Sequence, residues 1–158
     1  MLFTTMKDTP VGPLTLAAES GIITKLEFRA LNDRDIGDTA PSQDDISVLE
    51  RAVSELTLYF QGGLQEFTVP VRIDGPPFHK KVWQHLCTIP YGRTESYGDI
   101  ARSLGCPSGA RAVGNACARN PVAIIVPCHR VLSRGHLGGF GGGLDAKIWL
   151  LKHEGCRI

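Results

Sequence analysis

The stretch Ser96-Tyr97-Gly98-Asp99-Ile100-Ala101-Arg102-Ser103-Leu104-Gly105-Cys106-Pro107-Ser108-Gly109-Ala110-Arg111-Ala112-Val113-Gly114-Asn115-Ala116-Cys117-Ala118-Arg119 decides the fold class of the C-terminal half. Ser96 is a helix-capping residue, and Ile100 and Leu104 give a short helix, Tyr97 to Leu104, an inward face. Gly105 to Ser108 turn the chain, and a second helix follows from about Gly109 to Arg119. These are helix-turn-helix proportions, although helical hairpins that bind nothing are also common. The second helix is unusually slim, with Gly109, Ala110, Ala112, Gly114, Ala116 and Ala118, and its only charges are Arg111 and Arg119. A reader of the major groove carries long polar side chains for base edges. A slim helix suits close approach in the narrower minor groove, which predicts weak sequence preference and strong salt dependence. The alternative is that small residues simply let this helix pack tightly on its neighbours.

Just downstream lies Ile124-Ile125-Val126-Pro127-Cys128-His129-Arg130-Val131. A strand-like apolar run, expected to be buried, ends at a proline and brings a thiol to the rim of a cavity. Most cysteines are structural. Here the adjacent His129 and the positive charge of Arg130 favour a reactive thiolate. Consecutive side chains point apart, so a water bridge between Cys128 and His129 is more plausible than a direct bond. His129 then needs a carboxylate to orient it, and Glu154 is the best-placed acid late in the chain.

The remainder sets the context. The chain has 158 residues, 42% of them hydrophobic, enough for one domain or two small ones with a real core. No apolar run approaches the roughly 20 residues of a membrane span, and the first residues do not read as a signal peptide, so the expected location is the cytoplasm, or the nucleus in a eukaryote. Five cysteines without a C-x-x-C pair suggest neither a zinc ribbon nor a disulfide framework. Cys106 and Cys117 are expected to be structural residues of the helix pair.

Net charge is +1, but residues 1–76 hold 6 Lys and Arg against 12 Asp and Glu, while residues 77–158 hold 11 against 4 and all five histidines. A basic half suggests a polyanion partner; mutual attraction of the two halves is the alternative.

The first 30 residues read as short strands, Leu2 to Met6, Leu14 to Ala18 and Ile22 to Phe28, separated by Pro and Gly. Leu31 to Gln43 reads as an exposed polar loop. Asp44 or Asp45 then caps a helix to about Phe60, with Ile46, Leu49, Val53, Leu56 and Phe60 as its apolar stripe. Phe67, Val69, Val71 and Ile73 alternate as one more strand. Asp74-Gly75-Pro76-Pro77 is the candidate boundary between domains 1–75 and 76–158. A helix starting at Pro77 follows, with Phe78, Val82, Trp83 and Leu86 on its apolar face.

Ile125 to Val131 resembles the active-site signature of the O6-alkylguanine-DNA alkyltransferases. The resemblance runs from about Phe78 to Gly155, through Val82-Trp83, Ile89-Pro90-Tyr91-Gly92, Ser96-Tyr97-Gly98, Ala110 to Gly114, Asn120-Pro121, and Gly142-Gly143-Leu144 with Trp149-Leu150-Leu151. The N-terminal half resembles the family only in layout. The implied fold is α/β (α+β): a small N-terminal antiparallel sheet plus helix of ribonuclease H-like kind, then a mostly helical C-terminal domain with a helix-turn-helix. The implied function is direct-reversal DNA repair. An alkyl group passes from O6-alkylguanine, or O4-alkylthymine, in double-stranded DNA to Cys128, once only, after the base is flipped through the minor groove.

The resemblance also implies roles. His129 takes the proton of Cys128 through water, Glu154 holds His129, Asn120 braces the turn, and Tyr97 donates towards the guanine. Arg111 enters the duplex, with Ser96, Tyr97, Ala112 and Gly114 along the DNA. Trp83, Val131, Phe140 and Gly141 belong to the substrate pocket, and main-chain groups of Cys128, Val131 and Gly141 hold the flipped base. Phe140 stands where the family often has tyrosine, and Gly141 where some members have serine. No metal or small-molecule cofactor is implied; the partner is alkylated duplex DNA, bound by a monomer with possible cooperative assembly.

The chemistry needs such parts in any case. Thiolate is the best side-chain nucleophile for an alkyl carbon, a duplex hides the target atom, and a thioether does not revert. A non-catalytic damage-binding relative would lack Cys128. A thiol hydrolase would need an oxyanion-hole motif that is not evident, and a helix-turn-helix regulator would need base-reading side chains.

Overall fold

The computed structural model describes residues 1–37 and 40–158; the Asp38-Thr39 part of the expected exposed loop lies outside the described residues. The chain forms two compact units, Met1–Arg72 and Ile73–Ile158.

In the first unit, β1 (Leu2–Met6), β2 (Leu14–Glu19) and β3 (Ile22–Glu27) form an antiparallel sheet in that order. Leu2 pairs with Ala18 and Met6 with Leu14, and a bulge interrupts the β2–β3 register between Ala17 and Ala18. Ser20 (φ 55°) and Gly21 (φ 72°) make the tight turn, where two successive positive φ values match the twist of the flanking strands. The central strand is buried from Leu14 to Ala18.

Helix α1 (Gln43–Phe60) covers the sheet, but its cap is Ser42, whose Oγ accepts from Asp45 N at 3.1 Å. Asp45 sits three residues into the helix and accepts instead from Gly21 N at 2.8 Å, tying the helix start to the hairpin turn. The buried stripe is correspondingly shifted, to Val48, Leu49, Ala52, Leu56 and Tyr59. Ile46, Val53 and Phe60 flank it.

Two further expectations fail locally. The loop after β3 is not wholly exposed: a 3-10 turn, Asp33–Asp35, buries Asp35 under Arg29, which donates to both carboxylate oxygens at 2.7 and 2.9 Å. The hydrogen bond from Arg29 holds the Asp35 carboxyl down at about 2. The alternating segment from Phe67 to Ile73 is not a strand; only Val71 bridges, to Ile23. Pro70 offers no N–H, and the buried Glu55 carboxylate captures Thr68 N (2.7 Å), Thr68 Oγ1 (2.7 Å) and Val69 N (3.3 Å).

In the second unit, α2 (Pro77–Leu86), α3 (Tyr97–Ser103), α4 (Ala110–Ala118) and α5 (Leu144–His153) surround a minimal parallel pair, β4 (Glu95–Ser96) with β5 (Val131–Leu132). Ser96 caps α3 in a reciprocal box with Asp99. Trp83 Nε1 donates to Ala116 O at 2.8 Å, so an indole lies against the small-residue face of α4 and bonds its main chain.

The apolar run before Cys128 is a turn, not a strand. Ile124 has φ 70°, and Asn120 clamps the segment by donating from Nδ2 to Val126 O (2.8 Å) and accepting from Val122 N (3.0 Å). Val122, Ile124 and Val126 are fully buried, so the run serves as core, with Ile124 in a backbone conformation that β-branched residues ordinarily avoid.

The buried Glu55 gives a direct test of the first unit's wiring. Glu55→Ala strips the acceptor from the Thr68 and Val69 amides and is expected to lower unfolding free energy by about 1–3 kcal/mol, read from urea midpoints. A loss no larger than that of an exposed surface substitution contradicts this account.

Candidate active site

Pro127 ends the clamped turn, and Cys128–Arg130 form a single 3-10 turn leading into β5. All three side chains are buried. Cys128 borders a cavity of about 820 Å³ in the second unit. One wall comes from Tyr97 and from Ala110, Arg111, Gly114, Asn115, Cys117 and Ala118 of α3 and α4, the other from Ser133, His136 and the loop Gly138 to Gly141.

Behind Cys128 the carboxylate of Glu154, at the end of α5, is shared by two groups. Oε2 lies 2.8 Å from His129 Nε2, while Arg130 donates to Oε1 from Nε at 2.8 Å and to Oε2 from Nη2 at 3.1 Å. Arg130 Nη1 also donates to Ile89 O at 2.7 Å. The guanidinium is therefore committed to Glu154 and does not serve as the cation expected to favour thiolate.

That place is taken by Lys147, which sequence reasoning missed. It is fully buried on α5, with Nζ donating to Val131 O (2.6 Å) and Gly139 O (3.0 Å) and lying 5.9 Å from the centre of the Tyr97 ring. Its spacing to Leu150 and Leu151, three and four residues on, was the available signal: Lys147 occupies the apolar face of a helix.

Each ionisable group is shifted for a physical reason. Burial pushes the Cys128 thiol up, opposed by a hydrogen bond with Asn120 and by the charge of Lys147. Burial pushes His129 down, against the pull of Glu154. Nε2 faces the carboxylate, so it carries the proton and Nδ1 presents a lone pair; Nδ1 is buried without a hydrogen-bond partner. Tyr97 is pushed up to about 12, first by burial and then by the charges of Cys117 and Cys128, and remains a phenol donor at neutral pH. Burial pushes Lys147 down, while the two thiols act the other way.

The loop geometry is fitted to Tyr97. Gly138 has φ +73°, and a Cβ there would stand 2.8 Å from the Tyr97 ring and 2.9 Å from its hydroxyl oxygen. Gly114 of α4 passes the other side, where a Cβ would lie 3.9 Å from the ring. Phe140 borders the cavity with its ring edge-on to His129, centroids 6.5 Å apart. Gly141 borders it as well, with open space where a side chain would be.

The structure thus gathers Cys128, Tyr97, Arg111, Gly114, Phe140 and Gly141 around one volume, with His129, Glu154 and Asn120 behind the thiol. Trp83 and the Val131 side chain, expected at the pocket, stay out of its lining, and Ser96 and Ala112, expected along the DNA, lie outside the cavity too. Trp83 is buried between α2 and α4 and is corrected to a packing residue. Val131, expected to act through its main chain, has a fully buried side chain and gives its carbonyl to Lys147. Ser96 is spent on capping α3, and Ala112 is exposed on α4 away from the cavity. Cys117, expected to be structural, faces the cavity. Among the described residues no group of three His, Cys, Asp or Glu side chains is arranged to hold a metal, and no helix is long and apolar enough to cross a membrane.

Comparison with known proteins covers both units. Residues 1–73 match the ribonuclease-like domain of 6-O-methylguanine DNA methyltransferase, and residues 77–156 match its DNA binding domain. The methylated-DNA–protein-cysteine methyltransferase of Mycobacterium leprae is 45% identical over 157 residues, covering 96% of this chain and 91% of the relative. That of Mycobacterium tuberculosis is 46% identical over 151 residues, covering 95% and 90%. The crystal structure of Mycobacterium tuberculosis OGT in complex with DNA superposes with a TM-score of 0.83 at 44% identity, covering 98% of this chain and 92% of that one. An O6-methylguanine DNA methyltransferase from Methanococcus jannaschii keeps a TM-score of 0.71 at 26% identity, covering 99% and 95%. Sequence likeness, fold and a buried thiol beside a helix pair agree from end to end: the chain belongs to the 6-O-methylguanine DNA methyltransferase family of DNA-binding repair proteins, with methylated-DNA–protein-cysteine methyltransferase as its activity.

Proposed function

We propose that Cys128 is the alkyl acceptor and that the substrate is O6-alkylguanine, with O4-alkylthymine as a second, in double-stranded DNA. The observation that carries this reading is the thiol at the wall of a cavity of about 820 Å³, large enough for a purine, with a polarised histidine behind it. The base reaches the cavity by flipping, because the reacting carbon is shielded in the stacked duplex. Arg111, exposed at the cavity mouth near the start of α4, takes the vacated place in the duplex. Gly114 keeps the cavity face of the helix slim against the minor groove; Ala112, exposed on the helix away from the cavity, and Ser96 and Tyr97 lie along the DNA. Segment 76–158 is the DNA-binding and acceptor domain and segment 1–75 the accompanying α/β domain, acting as a monomer in the cytoplasm (nucleus in a eukaryote) without a cofactor.

The buried Cys128 is held as a thiol, so transfer needs a base. His129 Nδ1 receives the proton through a bridging water while Glu154 stabilises the imidazolium that forms. Sγ then attacks the alkyl carbon, the S–C bond forms, and the C–O6 bond breaks with its electron pair moving into guanine. Tyr97 donates towards ring N3 as that charge develops. Asn120, clamped to the preceding turn, keeps Sγ in line. The product thioether is stable, so one protein molecule repairs one lesion.

A duplex with labelled O6-methylguanine tests the core of this reading. The expected result is a burst of one label per protein, lost in Cys128→Ala; more than one equivalent would falsify it. Arg111→Ala should lose on the order of tenfold or more in rate on duplex and far less on the free base, since only the duplex requires extrusion. Equal losses on both substrates rule out the role given to Arg111.

The pH profile follows from His129. Burial lowers its pKa from the ordinary 6.5, so the neutral, proton-accepting form persists through neutral pH. The transfer rate should be flat across neutrality and fall only in acid, below 6.5, as His129 gains a proton. Linkage gives the same sign for stability: the unfolded state binds this proton more readily, so stability falls as pH drops through 6.5 towards the folded value. An acid limb centred above neutrality contradicts both.

A further inference from the structure

Cys117 has no part in the transfer just described, yet it opens onto the same cavity as Cys128. The two are free thiols, one on α4 and one on the 3-10 turn, 9% and 7% exposed, and both line that cavity. Charge on Cys128 raises the pKa of Cys117, and charges on both act on Tyr97 and Lys147. Two thiols and a phenol therefore line one cavity, with the Lys147 ammonium 5.9 Å from the centre of the phenol ring.

A second thiol matters when the alkyl group delivered to Cys128 still carries a leaving group. A chloroethyl group on Cys128 is a β-halo thioether, whose sulfur expels chloride to form a three-membered sulfonium ring. Water, the bound DNA and Cys117 then compete for the ring carbons. Lining the same cavity favours Cys117, because its attack is intramolecular and needs no second molecule to be brought in. A direct disulfide demands a Cα separation of about 4.4–6.8 Å, whereas a two-carbon link has longer reach and tolerates more geometries.

Resting on the reading of Cys128 as acceptor, we infer that Cys117 is a second capture site that closes an S–CH₂–CH₂–S bridge to Cys128 when the lesion is a bifunctional alkyl group. The steps balance without an oxidant. Transfer breaks the alkyl C–O6 bond and forms the Cys128 S–C bond. Chloride leaves with its electron pair as the sulfonium ring closes. Cys117 Sγ bonds one ring carbon, the opened C–S pair returns to Cys128, and the Cys117 proton passes to water. Burial pushes the Cys117 thiol up to about 12, opposed by Lys147, so the attacking group is the neutral thiol. A strained sulfonium ion is electrophilic enough for it. The consequence is containment: an electrophile that would otherwise tether the protein to DNA ends on the protein alone.

The test mixes intact protein with a freshly prepared duplex bearing one chloroethyl group on a guanine oxygen, beside an O6-methylguanine control. Intact mass and peptide mapping are read per mole of alkylated Cys128, so a slower variant does not mask the outcome. The expected wild-type product holds an ethylene bridge, with neither chlorine nor added hydroxyl, joining the Cys117 and Cys128 peptides. Cys117→Ala and Cys117→Ser should lose that bridge and give severalfold more hydroxyethyl thioether or protein–DNA cross-link. A chloroethyl or hydroxyethyl group on wild-type Cys128 beside a free Cys117 overturns the inference, as does a bridge to any other cysteine. Failure of the methyl control to label Cys128 overturns the acceptor reading as well; methyl transfer without bridging overturns the capture site alone.

Discussion

The second unit depends on one buried carboxylate. Glu154 sits at the end of α5 and holds His129 and Arg130, two consecutive residues of one 3-10 turn, at 2.8 Å each. A carboxylate with little water around it is costly unless its charge is matched and its lone pairs are filled. Arg130 does both, and it reaches on to Ile89 O beyond α2, so the same guanidinium ties three segments together. With the charge of Glu154 balanced by Arg130, His129 can stay neutral and still be oriented by it. That is the condition for a histidine to be a proton acceptor rather than an ion-pair partner. Removing Glu154 or Arg130 would leave the other's charge buried alone, which is more damaging than never having had the pair.

Arg130 and Lys147 divide a task that the sequence alone assigned to one residue. Arginine suits the planar, bidentate pairing with Glu154, which needs a fixed fork of donors. Lysine suits the cavity side, where one ammonium donates to two carbonyls and faces two thiols and a phenol ring. By pinning Gly139 to Val131, Lys147 also fixes the loop whose Gly138 must pass within contact of Tyr97. Electrostatics and loop placement are thus set by the same side chain.

Much of the fold was legible because it follows from local rules. The three N-terminal strands, the helix starting at Pro77 and the helix pair sit where alternation, apolar spacing and turn residues put them. The failures share a cause: a side chain from elsewhere took over a backbone group. Glu55 took the amides of Thr68 and Val69 that an added strand would have used, and Asn120 folded Val122 to Val126 into a turn. Such captures depend on residues distant in sequence or on a side chain's choice among several partners, and periodicity does not carry that information. At the site, Cys128, His129 and Glu154 were readable from residue type. Lys147 was not, because a lysine is ordinarily assigned to the surface and its burial becomes intelligible only once the Val131 and Gly139 carbonyls are seen to meet it.

The slim helix shows why two readings of one sequence need not compete. Tight packing and close approach to a ligand were alternative explanations for its glycines and alanines; packing accounts for one face, while the other lines the cavity. Val113 and Ala116 are fully buried, with Trp83 donating to the Ala116 carbonyl; a larger residue at 116 would push the indole away. Ala110, Arg111, Gly114 and Ala118 line the cavity, and Gly114 leaves the Tyr97 ring its place. Cys117 falls between the faces, buried yet open to the cavity, which is why it reads as core in sequence and as a second thiol in space. A helix made small on one side for packing is, on the other, slim where Ala110, Gly114 and Ala118 line the cavity. The constraint on each position is therefore set by which face it occupies, and its composition alone does not reveal it.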